Sequence, residues 1–387
     1  MDDITQNEMA DIADGLAGGS RSWRVPFVGL KEQYSDERQK ILDIVESVFS
    51  RGTFVGLSQV EEFEAALSDY LAVQHVMGVG SGTDALYIAL RCLGIGEDDE
   101  VITVANSHFS TVSAILHTGA VPVLADVRND LNMDPESAES LISPKTKALL
   151  PVHLAGRPAD IDGLLRVANR HGLKIIEDAA QSIGSKYKDR LTGTLGHVAA
   201  FSAHPLKNLN AAGDAGYLTA NDPDIAEKIR RFRNNGLEGR ETVTGWGTVS
   251  RLDVFQAALL TMRLETLDQV ISKRRRHAEI YLNDLPELVE TCPPADHEFH
   301  TYHNFVIQTD ARDGLRDYLS GHGIATAIHY PTPIHLQPAA RNGTLRHQDL
   351  AVTERQSARI LSLPVHQYLT DDQIRYVIEK IRGFFEV

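Results

Sequence analysis

The chain has 387 residues, with 42% hydrophobic and 24% charged side chains and a formal net charge of −15 at neutral pH. This is the composition of a globular protein, and its acidity disfavours nucleic acid or an anionic membrane surface as the main partner. Only two cysteines occur, Cys92 and Cys292, with no CxxC pair and no Cys/His cluster at metal-ligand spacing. Since no signal-peptide pattern and no apolar run of about 18 residues is found, we expect a cytoplasmic protein with no metal site.

The first two-thirds of the sequence predict an α/β fold. Residues 1–24, which contain the patch GLAGGSRS, are expected to form an N-terminal arm. Segments 36–52 and 58–72 space their apolar residues by three and four, as amphipathic helices do. Six short β-branched runs then alternate with helical stretches, at 76–80, 101–105, 121–127, 148–153, 173–178 and 198–203. Their near-continuous apolarity indicates strands buried on both faces, and hence a mainly parallel sheet with helices on both faces.

The last third has a different pattern. After residue 251 one or two long helices are predicted, with no strand until about residue 303, followed by a small α+β unit. We therefore expect a large α/β domain over 25–260 and a smaller C-terminal α+β domain over 261–387. The cluster KRRR at 273–276 is most simply a solvated helix face, although a nucleotide diphosphate is an alternative partner for it.

A first candidate site lies at Ser81-Gly82-Thr83, where a predicted strand ends and a helix begins at once. Such a junction presents free backbone N–H groups and the positive end of the helix dipole, which suits a phosphate. The alternative is that Ser81 or Thr83 only caps the helix.

A second candidate is the pair Glu177 and Asp178, at the end of the strand in IIEDAAQSIG. Ligands of parallel α/β sheets gather at the carboxyl ends of strands, so a carboxylate there is expected to face the site. Neighbouring residues of a strand point to opposite faces, so the two acids are not a catalytic pair and one of them points inward. A helix N-cap is the alternative role.

A third candidate is Lys207, at the exit of the apolar strand in AAFSAHPLKNLNAAGDAG. A lysine that is partly desolvated loses its proton more easily, and its neutral amine is a nucleophile toward carbonyls. The alternative is a surface lysine whose aliphatic part packs on the loop. An anion site, a strand-end carboxylate and a nucleophilic lysine are together what pyridoxal phosphate requires.

The order of these motifs carries a family resemblance. SGTDAL, EDAAQSIG, FSAHPLKNL, GDAG, SRLDVFQAALL and HYPTPIH follow one another as in the DegT/DnrJ/EryC1/StrS family of sugar aminotransferases, which the chain resembles from residue 25 to residue 366. The resemblance implies the type I, aspartate aminotransferase-like fold with a mainly parallel seven-stranded sheet. It also implies a homodimer with each active site at the subunit interface.

The same resemblance implies roles for individual residues. Lys207 would hold pyridoxal phosphate as a Schiff base and later move the proton, and Asp178 would pair with the pyridinium nitrogen. Other cofactor contacts would come from Gln181 beside the ring oxygen, and from a phosphate-binding set of Gly82, Thr83 and Ser202. In the C-terminal domain the resemblance places His329, Tyr330 and His335 near the active-site mouth, where contact with substrate and simple packing are equal alternatives.

The sequence departs from the family pattern at three positions. Val249 stands where relatives carry an asparagine that contacts the phosphate of the neighbouring subunit. His108 stands where an aromatic ring usually stacks on the cofactor, and Ala215 replaces a common glycine in GDAG. An imidazole can stack as well, but it brings a titratable group.

The resemblance predicts a pyridoxal-phosphate-dependent transfer of the amino group of L-glutamate to a keto sugar. The expected acceptor is a dTDP-, UDP- or GDP-linked 3-keto or 4-keto deoxysugar. One alternative is an aminotransferase for a free cyclitol or aminoglycoside precursor, which shares every catalytic residue. A sugar dehydratase of this family would carry histidine in place of Lys207, and a non-catalytic ligand sensor would be expected to have lost that lysine or gained a DNA-binding unit.

Overall fold

The computed structural model describes residues 23–56 and 58–386, so most of the predicted N-terminal arm lies outside the described residues. Its helices are α1 (Leu30–Arg51), α2 (Ser58–Leu71), α3 (Gly82–Cys92), α4 (Phe109–His117), α5 (Pro135–Ser140), α6 (Ile161–His171), α7 (Pro223–Phe232), α8 (Val254–Leu264), α9 (Leu267–Asp284), α10 (Arg312–Gly321), α11 (Ala351–Arg359) and α12 (Asp371–Phe385). Short 3₁₀ helices cover Leu154–Gly156, Ile334–Leu336 and Pro338–Asn342. Among these residues, no helix combines the length and the apolar character needed to cross a membrane.

The strands fall into one large sheet and three small ones. The large sheet is formed by β1 (His75–Val79), β2 (Glu100–Val104), β3 (Val121–Ala125), β4 (Thr146–Leu149), β5 (Lys174–Asp178), β8 (Val198–Ser202), β9 (Gly216–Ala220) and β15 (Arg346–His347). The small sheets contain β6 (Lys186–Tyr187), β7 (Arg190–Leu191), β10 (Leu237–Glu238), β11 (Thr242–Val243), β12 (Glu290–Thr291), β13 (Glu298–Phe299), β14 (Phe305–Gln308) and β16 (Ile360–Leu363).

The large sheet has the order β1-β9-β8-β5-β4-β2-β3-β15, and only β9 runs against its neighbours. The predicted mainly parallel sheet is therefore confirmed, and all six predicted strands are present. Strand β9 was missing from the prediction because its five residues begin with a glycine. At that glycine, Gly216, a Cβ atom would lie 2.4 Å from the carbonyl carbon of Ser81, so the close approach of two chain segments requires it.

The eighth strand, β15, comes from the C-terminal third and extends the expected seven-stranded sheet by two residues at its edge. It pairs in parallel with β3, and Arg346 forms an ion pair with the buried Glu100 of β2. The C-terminal third is thus anchored on the edge of the large sheet.

The rest of the C-terminal third packs around the antiparallel sheet β12-β14-β16. Its core is formed by α9, α10, α12, β14 and β16, with Tyr281, Phe305, Leu319, Leu361 and Ile378 among its buried members. Val25 belongs to the same core and pairs with Ile324. Helix α9 begins in the core of the large unit at Leu267 and ends in this one at Tyr281, so the boundary at 260/261 stays a prediction.

Two local expectations for this region were wrong. Two short strands, β12 and β13, precede residue 303, where no strand was expected. The KRRR cluster is not uniformly solvated, because Arg274 is buried and donates hydrogen bonds to the carbonyl groups of Tyr302 and His303.

The topology brings four strand ends together. Strands β1, β2, β5 and β8 run in the same direction, and their carboxyl ends lead into residues 80–83, 105–108, 178–181 and 202–207. All of the candidate cofactor residues follow these four ends, as expected for ligand sites of parallel sheets.

Candidate active site

The turn between β1 and α3 is built for close contact. Ser81 caps α3 by accepting a hydrogen bond from the Asp84 N–H, so the N–H groups of Gly82 and Thr83 have no partner within the helix. A Cβ atom at Gly82 would lie 2.8 Å from the Cβ of Ser202, so the ends of β1 and β8 touch here. Free N–H groups, a helix N-terminus and the Ser202 hydroxyl form a cradle for an anion.

The hydroxyl of Ser250 braces this turn from the side. It accepts a hydrogen bond from the Gly80 N–H at 3.0 Å and donates one to Asp84 Oδ2 at 2.8 Å. The neighbouring Val249, which replaces the asparagine of the family pattern, is 57% exposed. Ser250 therefore supports the cradle from within the chain, while the Val249 side chain is left on the surface.

Asp178 is buried at the end of β5 with its carboxylate only partly satisfied. Oδ2 accepts a hydrogen bond from the Thr111 hydroxyl at 2.8 Å, and Oδ1 accepts one from the Ala180 N–H at 3.2 Å. Burial raises the pKa of Asp178, and the two hydrogen bonds and the charge of Lys207 oppose that rise only in part. This carboxyl group thus retains capacity for a cationic partner.

Glu177 points to the opposite face of β5 and has a complete set of donors. His153 Nε2 lies 2.9 Å from Oε2, and the N–H groups of Gly193, Leu195 and Gly196 all donate to the same carboxylate. Burial acts to raise the pKa of Glu177, but these hydrogen bonds outweigh it and the pKa is lowered. The two neighbouring acids therefore do not form a pair, as the strand geometry predicts.

Lys207 lies in the turn after β8 and is half-buried. Burial lowers the pKa of its amine to about 8, although the charge of Asp178 acts in the opposite direction. Among the described residues, no carboxylate forms a salt bridge with its Nζ. With this pKa roughly a tenth of the amine is neutral at pH 7, against less than about a thousandth for an ordinary lysine, which makes Lys207 a competent nucleophile.

Gln181 and residues of the C-terminal third close the other side of the site. Gln181 Oε1 accepts a hydrogen bond from the Ala155 N–H at 2.6 Å, and its Nε2 donates to the Tyr330 hydroxyl at 3.2 Å. Burial and the charge of Asp178 raise the pKa of Tyr330. His329 stacks on Phe27 at 5.9 Å, and burial and Lys207 lower the pKa of its ring to about 4.

His108 reaches the site from the start of α4. Its Nδ1 accepts a hydrogen bond from the Ser110 N–H, and its ring lies 6.0 Å from that of Tyr330. Partial desolvation and the charge of Lys207 lower the pKa of His108 to about 4, so the imidazole is neutral in this environment. A neutral flat ring is available for stacking.

His335, the third residue expected from HYPTPIH, makes its contacts with residues outside this set. Its Nε2 is 3.0 Å from Glu354 Oε1 on α11, and its ring lies 5.0 Å from that of His347. The neighbouring Ile334 N–H donates to the Ala105 carbonyl group, just after the carboxyl end of β2.

Several residues near Asp178 and Lys207 were not expected from the sequence. Thr111 orients Asp178, and its position three residues after His108 gave no signal beyond helix periodicity. His204 and His303 are electrostatically coupled to Lys207, and burial and that charge lower the pKa of both rings. The Nδ1 atom of His303 and the Oδ1 atom of Asn208 are buried without a hydrogen-bond partner. Only the fold brings His303 to the lysine, so no local motif could have revealed it.

This set of groups fits pyridoxal phosphate. The cradle at Gly82 is suited to a phosphate, Asp178 to a protonated ring nitrogen, and the amine of Lys207 to an aldehyde. The orphaned polar atoms of Asn208 and His303 leave hydrogen-bonding capacity beside that amine.

Comparison with known proteins gives a consistent result. Residues 35–382 match the model of the DegT/DnrJ/EryC1/StrS aminotransferase family. The chain is 40% identical to a dTDP-3-amino-3,4,6-trideoxy-alpha-D-glucose transaminase of Streptomyces venezuelae, over 94% of this chain and 97% of that protein. It is 39% identical to a pleiotropic regulatory protein of Geobacillus stearothermophilus, over 93% of this chain and 98% of that protein.

A solved structure of a relative is also similar to this chain over nearly its full length. The crystal structure of S. venezuelae DesV in complex with a ketimine intermediate superposes with a TM-score of 0.92 at 40% identity, covering 95% of this chain and all of that one. The type I fold and a dependence on pyridoxal phosphate are those of the family, as the resemblance implied. On the family match, the high identity over nearly the full length and the shared fold, this chain is a member of the DegT/DnrJ/EryC1/StrS aminotransferase family.

Proposed function

We propose that the protein is a pyridoxal-phosphate-dependent aminotransferase that transfers the amino group of L-glutamate to a nucleotide-linked keto sugar. The observation that carries this proposal is Lys207, a partly desolvated amine with a pKa of about 8 that is coupled to the buried carboxylate of Asp178. A structural or surface lysine would not need a lowered pKa, an opposing buried acid and an adjacent anion cradle at once.

Each residue of the site would then have a role. The bound cofactor supplies an aldehyde that takes up the amino group and a ring that accepts the electrons of the broken C–H bond. The N–H groups of Gly82 and Thr83 and the hydroxyl of Ser202 would hold its phosphate. Gln181 and His108 would lie against the ring.

Two groups would control the protons. Asp178, oriented by Thr111, would keep the ring nitrogen protonated by stabilising its positive charge. The Nζ atom of Lys207 would remove the proton from the carbon of the amino donor and deliver a proton to the sugar carbon, because its lowered pKa lets the amine both take up and release a proton close to neutral pH. Water would be excluded by the wall that Tyr330 and His329 form.

The acceptor is proposed from the relatives together with the site. The S. venezuelae relative makes a dTDP-linked 3-amino sugar, which favours a keto group at C3 over C4 in the substrate of this chain. His303 lies within electrostatic reach of Lys207, and Tyr330 accepts a hydrogen bond from Gln181, so both residues of the C-terminal third would face the sugar. We do not extend a substrate role to His335, since its contacts are with Glu354 and His347.

We further propose that the protein works as a homodimer with the site at the subunit interface. Several large apolar side chains of the described residues are exposed, among them Trp246 at 92%, Phe109 at 64% and Val249 at 57%. Phe109 adjoins His108 in the site, so this exposed surface reaches the cofactor residues. Exposed apolar surface of this kind is typical of an interface. Cys92 and Cys292 are free, which favours a reducing, cytoplasmic location.

The test is an absorption spectrum of the purified protein loaded with pyridoxal phosphate, before and after L-glutamate is added. We expect the band of the lysine-bound cofactor to convert to that of pyridoxamine phosphate, and borohydride to fix the cofactor on Lys207. The Lys207→Ala variant should lose amino transfer by at least about a thousandfold. Lys145→Ala, which removes an exposed lysine, is the matched control.

The alternatives give different results in this experiment or when keto sugars are added to the loaded enzyme. One relative is named a regulatory protein, and a ligand sensor would bind the cofactor without any conversion by glutamate. A dehydratase would consume the nucleotide sugar without forming an amino sugar. Equal rates on free and nucleotide-linked keto sugars would favour the cyclitol or aminoglycoside alternative. Full turnover by Lys207→Ala would refute the proposed function.

A further inference from the structure

The turn that carries Lys207 is held by a closed ring of hydrogen bonds on the side away from the site. Gln33 of α1 and Asn210 form two reciprocal amide hydrogen bonds, each 3.0 Å long. Arg263 Nη1 donates to the carbonyl oxygen of Asn210 at 2.7 Å, and its Nε and Nη2 both donate to Glu37 Oε2. A bond from Gln33 Nε2 to Glu37 Oε1 closes the ring.

Asn210 also reaches across the turn itself. Its Nδ2 donates to the carbonyl oxygen of Pro205 at 2.7 Å, and Lys207 lies between these two residues in the chain. At the neck of the turn, Ala211 N–H donates to the Ala203 carbonyl group at 2.7 Å. The Asn210 side chain therefore closes the turn around the lysine. We call its hydrogen bond to the Pro205 carbonyl group the clasp.

Burial makes this ring rigid. Gln33, Asn210 and Arg263 are each less than a tenth exposed. A buried amide that loses its partner is left with unsatisfied donors and acceptors, so alternative arrangements of the ring are disfavoured. Gln33 and Glu37 are four residues apart on one face of α1. A single helix therefore binds both Asn210, through Gln33, and Arg263, through Glu37.

We propose that Asn210 and Gln33 are positioning residues that fix the direction of the Lys207 amine within the cofactor site. Neither side chain contacts the lysine amine, so both act through the backbone of the turn. The inference rests on the proposed function, which assigns the nucleophile to Lys207. Its consequence is that a change in the ring, behind the site, alters the protonation and the reach of the amine.

The test measures the lysine itself, in cofactor-free full-length protein. Trace acetylation with acetic anhydride is followed across pH by peptide mass spectrometry, with the exposed Lys145 as internal reference. Labelling of Lys207 in the wild type should be half-maximal near pH 8, because its pKa is about 8. In Asn210→Ala and in Gln33→Met the midpoint should rise, and a rise from pH 8 to pH 9 would lower the labelling of Lys207 at pH 8 about fivefold.

Gln356→Ala is the matched control. Gln356 is another buried amide, on α11, where its Nε2 donates to the Arg128 carbonyl group far along the chain from the lysine turn. We expect this variant to lose stability while leaving the Lys207 midpoint at the wild-type value. For the two ring variants, kcat should fall about tenfold or more, with KM for the sugar unchanged.

Two results would overturn the proposal: wild-type midpoints in both folded ring variants, or an equal shift in Gln356→Ala. If Asn210→Ala does not fold, Gln33→Met decides alone, since it leaves the Asn210 clasp on Pro205 in place. The outcome is separable from that of the proposed function. An active Lys207→Ala variant refutes the function, whereas an inactive one combined with unshifted ring variants refutes only the positioning role.

Discussion

The two faces at the end of β5 each carry one carboxyl group, and the pKa values of these two groups are shifted in opposite directions. Glu177 and Asp178 are neighbours in sequence and both are buried. Glu177 is saturated by three backbone N–H groups and His153, and its pKa is lowered, whereas Asp178 has two hydrogen bonds and a raised pKa. Burial is the same for both, so the number of donors decides which acid supports the fold and which remains available for chemistry.

The largest effect in this comparison is expected from Asp178→Asn. The amide cannot hold a positive charge on the ring nitrogen, so kcat should fall about 100- to 1000-fold. The cofactor-free variant should be no less stable than the wild type, because the raised pKa makes ionisation of Asp178 unfavourable in the fold. That stability difference should grow as pH rises above the ordinary aspartate pKa of 3.8. Thermal unfolding across pH, together with steady-state kinetics, measures both, and a destabilised but fully active variant would contradict the assignment.

Glu177→Gln should lower the stability of the protein and leave its activity nearly unchanged, the opposite of Asp178→Asn. The amide would turn one donor toward the backbone N–H groups of the loop at Gly193, so the free energy of unfolding should fall by about 3 kcal/mol. The lowered pKa of Glu177 means that the wild-type advantage is present above the ordinary glutamate pKa of 4.5 and is lost as pH falls. Urea unfolding at several pH values tests this. Activity per folded, cofactor-loaded molecule should stay within about twofold, and a loss like that of Asp178→Asn would refute the division of roles.

A smaller effect is expected from Thr111→Val, which removes one of the two hydrogen bonds to Asp178 and keeps the side-chain shape. The pKa of Asp178 should rise further, and kcat should fall about tenfold. Thr111→Ser keeps the hydroxyl and is the control. The check is the pH dependence of kcat with the loaded enzyme, and identical profiles for the valine and serine variants would exclude a role for this bond.

Much of this candidate site could be expected from the sequence because its main residues follow buried strands directly. Asp178, Ser202 and Lys207 lie at or just after strand ends, and the pattern of apolar runs locates such ends well. The inward orientation of one of two neighbouring acids also follows from strand geometry.

The rest depends on contacts between distant segments. Gln33 and Asn210 are 177 residues apart, and His303 reaches Lys207 only because α9 and the C-terminal third fold back on the large sheet. No local pattern records such closures. The same reason applies to His335, whose partners Glu354 and His347 come from α11 and β15 and could not be read from its motif.

Helix α9 has a consequence for how the protein unfolds. Because its first turns are embedded in one hydrophobic core and its last turns in the other, neither core can come apart without exposing part of the helix that serves its neighbour. The edge strand β15 and the Val25 pairing add two further crossings between the units. The chain should therefore melt as one cooperative block, with a calorimetric enthalpy equal to the van't Hoff enthalpy, despite its two-part architecture.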